Sequence, residues 1–132
     1  MPDRAAHSQV QSHARTGRIV LVEPNELTRW SVCTYLRRWF SVDSASTVAG
    51  AERLLRSAPV TALVISDQIA SGALERLVQF ARRVNAEVRP IVMVASDDAH
   101  VPHPPAARIE KPFALPDLAR LLGVPDGDLA TN

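Results

Sequence analysis

The sequence predicts an α/β domain in which one parallel β-sheet is covered by helices on both faces. Strand-like apolar runs alternate along the chain with segments of helical periodicity, as in parallel sheets with crossover helices. Three of these runs, at 18–22, 60–66 and 89–96, are almost continuously apolar, which is typical of strands buried on both faces. The 132-residue chain is 46% hydrophobic, which suffices for one such domain.

Five strand-like runs lie along the chain. The first, RIVLV, stops shortly before Pro24, which has no backbone N–H to donate to a neighbouring strand. The second, SVDSA, alternates in polarity, and the fifth, ARIEK, is short. We expect the strands at residues 18–22, 41–45, 60–66, 89–96 and 107–111.

Four segments have helical periodicity. In the first, Asn25 is suited to cap the helix, and Val32 and Leu36 recur on one face. In the last, Pro116 lies in the first turn and Gly123 marks the end. We expect the helices at residues 25–40, 46–58, 73–85 and 115–123.

The connection between the fourth and fifth strands, residues 96–106, is too short for an ordinary helical crossover. An average helix with its two connections needs roughly 19 residues. The segment also contains Pro102, Pro104 and Pro105, and a proline inside a helix costs about 3 kcal/mol. The fourth helix of the domain is therefore expected to be shortened or absent, with an extended crossover in its place.

Composition and charge narrow the class of protein. With 15 basic and 14 acidic residues the net charge is +1, which predicts no nucleic-acid or membrane binding through overall charge. A single cysteine excludes an internal disulfide and indicates a reducing, cytoplasmic location. No apolar run is long enough to span a membrane. We expect mobile tails at 1–17 and 125–132 around a domain at 18–124.

Polar residues follow several of the expected strands. In doubly wound sheets, functional residues gather at the carboxyl ends of the strands. Here Glu23, Asp67, Ala95 and Lys111 occupy such positions. Lys111 is the only lysine of the chain, against 14 arginines, which suggests that this position needs a compact ammonium group rather than a planar guanidinium. We therefore expect Asp67 and Lys111 to face one crevice.

The segments IVLVEPN, ALVISDQIASG, RPIVMVAS and EKPF, in this order, resemble the receiver domain of bacterial two-component response regulators. The resemblance covers residues 18–123 and rests on the order and spacing of the four segments. It implies a flavodoxin-like, doubly wound, five-stranded parallel sheet with strand order 2-1-3-4-5.

The resemblance also implies roles for individual residues. Asp67 occupies the position of the phospho-acceptor, and Lys111 that of the lysine that pairs with phosphoryl oxygens. A magnesium ion would take oxygen ligands from Glu23, from Asp67 and from the backbone carbonyl of Ile69.

Three positions depart from the receiver pattern. The second acid of the usual acidic pair is Pro24, which offers no carboxylate to a metal. The hydroxyl position at the end of the fourth strand is Ala95, and its neighbour Ser96 would point to the opposite face of the strand. The usual aromatic position, three residues before the lysine, is Arg108.

These departures predict an atypical receiver, or pseudo-receiver, that acts through protein–protein interaction without the standard phosphorylation switch. No cofactor is expected, magnesium is expected to bind weakly, and no enzymatic activity beyond self-phosphorylation and dephosphorylation at Asp67 is expected. The alternative is a working phospho-acceptor, phosphorylated on Asp67 by a histidine kinase. A flavin-binding domain of the same fold is disfavoured because EPNELTRW makes a poor phosphate-binding loop.

Each site residue also has a structural interpretation. Asp67 would then cap or solvate the turn after its strand. Lys111 would form an ion pair with Asp67 or Glu23 instead of binding phosphate; we expect such a pair, partly buried, when no metal is bound.

Several other residues are candidates for a site or for a purely structural role. Cys33 is expected to pack in the core. The acidic pair at 97–98 and the histidines His100 and His103 are expected at the surface. Trp30 lies off the apolar stripe of the first helix, so it either packs under a loop or anchors a partner. We expect any homodimer to form through this helix.

Overall fold

The computed structural model describes residues 17–70, 72–95 and 107–129. Its strands are β1 (Arg18–Val22), β2 (Ser41–Ala45), β3 (Ala62–Ser66), β4 (Arg89–Val94) and β5 (Ala107–Glu110). Its helices are α1 (Glu26–Leu36), α2 (Val48–Ser57), α3 (Ala73–Val84), α4 (Leu115–Leu121) and α5 (Asp126–Leu129).

The five strands form one parallel sheet in the order β2-β1-β3-β4-β5. This is the predicted order, and the flavodoxin-like fold is confirmed. The chain runs outward from β1 to β2 and then returns to β3 on the other side of β1. The strand order therefore reverses at β1 and β3, the position where ligands bind in sheets of this kind.

Each face of the sheet carries its own hydrophobic core, because alternate residues of a strand point to opposite faces. In β3, Ala62 and Val64 pack towards α1 and α4, whereas Leu63 and Ile65 pack towards α2 and α3. Burial on both faces explains why the central strands are continuously apolar. Fully burying a leucine or isoleucine side chain stabilises the folded state by about 1.5–3 kcal/mol relative to leaving it exposed.

Some element ends differ from the prediction. Helix α1 ends at Leu36 and not at residue 40. The next four residues form a tight turn whose N–H groups bond back to carbonyls at 33, 35 and 36, and this turn buries Trp39 and Phe40 before β2 begins. Strand β3 starts at Ala62, two residues later than expected, and β4 ends at Val94, two residues earlier.

Part of the expected C-terminal tail has regular structure. Residues 126–129 form a one-turn helix, and the side chain of Asp126 accepts a hydrogen bond of 2.8 Å from Arg120 Nε. Leu129 packs against the core on the α1 and α4 side.

Several expectations fall outside the described residues. These are the N-terminal tail up to residue 16, the shortened or absent helix at 96–106 with Ser96, the acidic pair at 97–98 and both histidines, and residues 130–132. None of the described helices is both long enough and apolar enough to cross a membrane.

Candidate functional site

The candidate site lies at the carboxyl edge of the sheet, at the ends of the neighbouring strands β1 and β3 and of β5, which β4 separates from β3. Glu23 directly follows β1, Ser66 closes β3, and Lys111 directly follows β5. Alternation along β1 places Glu23 on the same face as Leu21, the face covered by α1 and α4. Alternation along β3 likewise places Ser66 on the face of Val64.

Lys111 connects the residues of this edge. Its Nζ donates hydrogen bonds to Glu23 Oε1 at 2.8 Å, to Gln68 Oε1 at 2.9 Å and to Ser66 Oγ at 3.2 Å. An ammonium group has three donors, so all three are used within the protein. Of the two alternative partners expected for the Lys111 ion pair, Asp67 or Glu23, the structure has Glu23.

Glu23 is a fully buried carboxylate, with 0% of its side chain exposed, whereas 17% of the Lys111 side chain is exposed. Its second oxygen, Oε2, accepts a hydrogen bond of 2.9 Å from the backbone N–H of Asn25. Burying a carboxylate without a cation costs several kcal/mol. The ammonium group of Lys111 therefore makes the buried position of Glu23 tolerable.

Ser66 and Gln68 are site residues that sequence reasoning missed. Ser66 is buried, and its Oγ both accepts from Lys111 and accepts from the backbone N–H of Gln68 at 3.0 Å. The sequence does contain an indication of this pair. Ser66 ends the apolar run ALVIS, and Gln68 lies two residues later, so both would point to the same face of a strand.

Asp67 lies at the same edge but has different partners. Its backbone N–H donates to Met93 O at 3.0 Å, which continues the pairing of β3 with β4. Its carboxylate oxygens accept from the backbone N–H of Ala95 at 3.1 and 3.2 Å. Within the described ranges, no ion pair joins Asp67 to Lys111.

The residues present leave few uncommitted oxygen ligands for a magnesium ion. Magnesium requires a near-octahedral shell of oxygen ligands. Both oxygens of Glu23 already accept hydrogen bonds, one of them from the Lys111 ammonium, and Pro24 supplies no carboxylate. In the described part of the chain, no group of three or more His, Cys, Asp or Glu side chains could hold a metal ion. The ligand set of Glu23, Asp67 and the Ile69 carbonyl stays a prediction.

The two altered switch positions both lie at the surface. Ala95 is exposed just beyond β4. Arg108 is exposed on β5, where it pairs loosely with Glu110 at 3.8 Å. Neither side chain supplies the hydroxyl or the aromatic ring that the receiver pattern has at these positions.

Helix α1 resolves two further expectations. Cys33 is 4% exposed and packs in the core on the α1 and α4 side, as expected. Trp30 is 64% exposed and Leu27 is 71% exposed, so the indole does not pack under a described loop.

We predict that Lys111→Met lowers the free energy of unfolding by about 3 kcal/mol at neutral pH, because it leaves the Glu23 carboxylate buried without a cation. The double variant with Glu23→Gln and Lys111→Met should lose less free energy of unfolding than Lys111→Met alone, since the neutral amide of the glutamine needs no cation. Urea unfolding followed by circular dichroism measures both. Arg108→Met is the matched control and should change stability little, because exposed ion pairs contribute little. Equal stability of Lys111→Met and wild type would refute the role assigned to the ion pair.

Comparison with known proteins identifies the fold. No protein-family model and no curated protein sequence matches the chain. Among solved structures, a CheY-like receiver domain from Methanospirillum hungatei JF-1 has a TM-score of 0.70 at 15% identity, over 80% of this chain and 90% of that one.

Two further receiver domains are similarly close. The non-phosphorylated HemR receiver domain from Leptospira biflexa has a TM-score of 0.68 at 22% identity, over 83% of this chain and 97% of that one. The signal receiver domain of an HD domain-containing protein from Pseudomonas fluorescens Pf-5 has a TM-score of 0.72 at 17% identity, over 82% and 92%. The chain therefore has the fold of a response-regulator receiver domain.

Proposed function

We propose that this chain is an atypical receiver domain of bacterial two-component signalling, which acts by binding a protein partner. In this proposal its pocket is held closed by the Lys111–Glu23 ion pair and is not switched by magnesium-dependent phosphorylation. The single observation that carries the proposal is the set of contacts of Lys111, whose three donors are directed to Glu23, Ser66 and Gln68. The receiver fold supports the signalling role.

The closed pocket opposes phosphorylation through competition for the lysine. A phosphoryl group on Asp67 would need a cation to offset its charge, and Lys111, directly after β5, is the cation that the receiver pattern assigns to this role. Drawing the ammonium group away from Glu23 would leave a fully buried carboxylate uncompensated. Breaking a buried pair in this way costs about 3–5 kcal/mol. This free-energy cost would make the phosphorylated state less stable.

Pro24 adds a second obstacle. A carboxylate at this position would supply both a ligand and a negative charge to a magnesium ion, and proline supplies neither. The proline is exposed and directly follows Glu23, so an acidic residue here would face solvent at the edge of the pocket. Weak magnesium binding follows from the loss of this ligand and from the hydrogen bonds that already engage Glu23.

A second function, phosphorylation on Asp67 by a histidine kinase, has one observation in its favour. The Asp67 carboxylate is only half-buried, has no cation within ion-pair distance in the described part of the chain, and accepts from the Ala95 N–H. A carboxylate oxygen with these properties could bond to phosphorus while the bond from phosphorus to the leaving group of the donor breaks. The activity would be limited to Asp67 of the chain itself.

A protein partner is common to both candidates. One similar structure is the receiver domain of the hybrid histidine kinase CckA, with a TM-score of 0.69 at 18% identity, over 80% of this chain and 95% of that one. Binding of a partner to the surface of a receiver fold does not itself require a metal. We propose no nucleic-acid or membrane contact for the domain by itself.

We predict that magnesium binds wild type weakly and that Pro24→Asp tightens binding about tenfold, or about 1.4 kcal/mol, by restoring one carboxylate ligand. Isothermal titration calorimetry with magnesium chloride measures both proteins. Pro24→Asn is the control, since it removes the proline without adding a charge. Saturation of wild type at low millimolar magnesium or below, lost in Asp67→Asn, would contradict the proposal.

We also predict that wild type stays unmodified when it is incubated with a small phosphodonor and magnesium, because Lys111 is held by Glu23 and the metal ligand at position 24 is missing. Intact-mass spectrometry gives the result. Glu23→Asp combined with Pro24→Asp should gain a phosphoryl group, and adding Asp67→Asn to it should abolish the gain. Phosphorylation of wild type that is lost in Asp67→Asn would establish the second function instead.

A further inference from the structure

The outward face of α1 carries a row of exposed residues that the fold does not use. Positions 26, 30, 34 and 37 follow one another at spacings of three and four, which places them on one side of a helix. All four are exposed, and Leu27, also exposed, lies beside them. This outer row consists of Glu26, Leu27, Trp30, Thr34 and Arg37.

The exposure of Trp30 and Leu27 makes the outer row unusual. Their exposed fractions, 64% and 71%, exceed the 45% of Val84, the other large apolar side chain exposed in the described ranges. Two large apolar side chains one turn apart in water form a patch that a contact would stabilise. The buried side of the helix, with Val32, Cys33 and Leu36, already forms the core.

We infer that the outer row of α1 binds the outer row of a second copy of this chain, with the two helices antiparallel about a two-fold axis. The charges of the row favour this occupant. Its acid, Glu26, is at the start of the helix and its base, Arg37, is directly after the end, with Trp30 between them. Antiparallel pairing brings each Glu26 to the Arg37 of the other copy, whereas parallel pairing would place like charges together.

The spacing of the row suits this arrangement. At a rise of about 1.5 Å per residue, Glu26 and Arg37 are separated by about 16 Å along the helix axis. The two-fold axis then passes close to Trp30, so the two indoles lie near the centre of the contact and the charges lie at its ends. An aromatic centre with a charged rim is the usual composition of a protein interface.

Both charged residues are available for such pairing. Glu26 has no ion pair within the part of the chain that is described. Arg37 uses Nη2 for a hydrogen bond of 3.0 Å to the carbonyl of Val42. A guanidinium has five N–H donors, so it retains others for a carboxylate. Arg29, another base of α1, donates to the backbone carbonyls of Glu23 and Pro24 and does not belong to the outer row.

An apolar groove adjoins the outer row on the side of Leu27. It has a volume of about 550 Å³ and lies between α1 and the segment that follows Lys111. Its walls include Leu27, Val32, Phe113 and Leu115. The groove gives the apolar side chains of the second copy a place to pack when they reach across the two-fold axis.

The contact is small, so the dimer is expected to be weak. One exposed helix face and its groove offer less than the roughly 800 Å² per partner of a standard interface. Self-association should therefore appear in the micromolar range and depend on concentration. It concerns the helix surface and does not depend on whether Asp67 accepts a phosphoryl group.

Sedimentation velocity over a concentration series tests the inference. Wild type should shift from monomer to dimer, and Trp30→Ala should raise the dissociation constant about 30-fold, as expected when a central aromatic is removed. Val84→Ala is the matched control, an exposed apolar residue on α3, and should leave the dissociation constant unchanged. Wild type that stays monomeric at about 1 mM, or a dimer that is unaffected by Trp30→Ala, would overturn the inference.

A mixing experiment tests the antiparallel arrangement. Glu26→Arg alone and Arg37→Glu alone should each weaken the dimer severalfold, because each places like charges together at both ends of the contact. An equimolar mixture of the two variants should associate about as tightly as wild type, because every charge then meets its opposite. Thermal unfolding checks that Arg37→Glu remains folded without its bond to Val42. A folded mixture that associates no better than the separate variants would refute charge pairing across the contact. Separate variants no weaker than wild type, with a mixture tighter than wild type, would show parallel pairing and refute the antiparallel one.

Discussion

The carboxyl edge of the sheet depends on the ion pair between Lys111 and Glu23. It links the ends of β1 and β5, two strands that are separated in the sheet by β3 and β4. The Lys111 ammonium group also donates hydrogen bonds to Ser66, at the end of β3, and to Gln68, in the loop that follows. These three acceptors lie on two segments of the chain, one after β1 and one at the end of β3. A compact ammonium group suits them better than a planar guanidinium. This explains why a chain otherwise rich in arginine keeps one lysine here.

Charge at this edge is more nearly balanced than the receiver pattern implies. An acidic pair, an acceptor aspartate and one lysine carry three negative charges and one positive, a net charge of −2 that a divalent cation would balance. Here Pro24 removes one acid, so Glu23, Asp67 and Lys111 carry a net charge of −1. The buried carboxylate is matched by the lysine, and the remaining one, on Asp67, is half-buried with a backbone N–H as donor. The proline and the ion pair are both consistent with the weak magnesium binding that we propose.

The sequence predicted the fold well because parallel strands buried on both faces leave an apolar signature that few other structures share. It also located the edge where Glu23, Asp67 and Lys111 lie. It did not predict which acid pairs with the lysine. A shift of one residue at the end of a strand moves a side chain to the other face of the sheet, and the sequence does not fix the strand ends to one residue. Ser66 was missed for a similar reason, since a serine after four apolar residues is typical of a strand end. The turn at 126–129 depends on contacts of Arg120 and Leu129, which no local pattern reveals.

The pocket and the outward face of α1 are physically connected through Asn25. The Glu23 carboxylate that holds Lys111 accepts the backbone N–H of Asn25 with its other oxygen. The Asn25 side chain in turn caps α1 by accepting the N–H of Thr28 at 2.9 Å. The same carboxylate therefore fixes both the lysine and the start of the helix that carries Trp30.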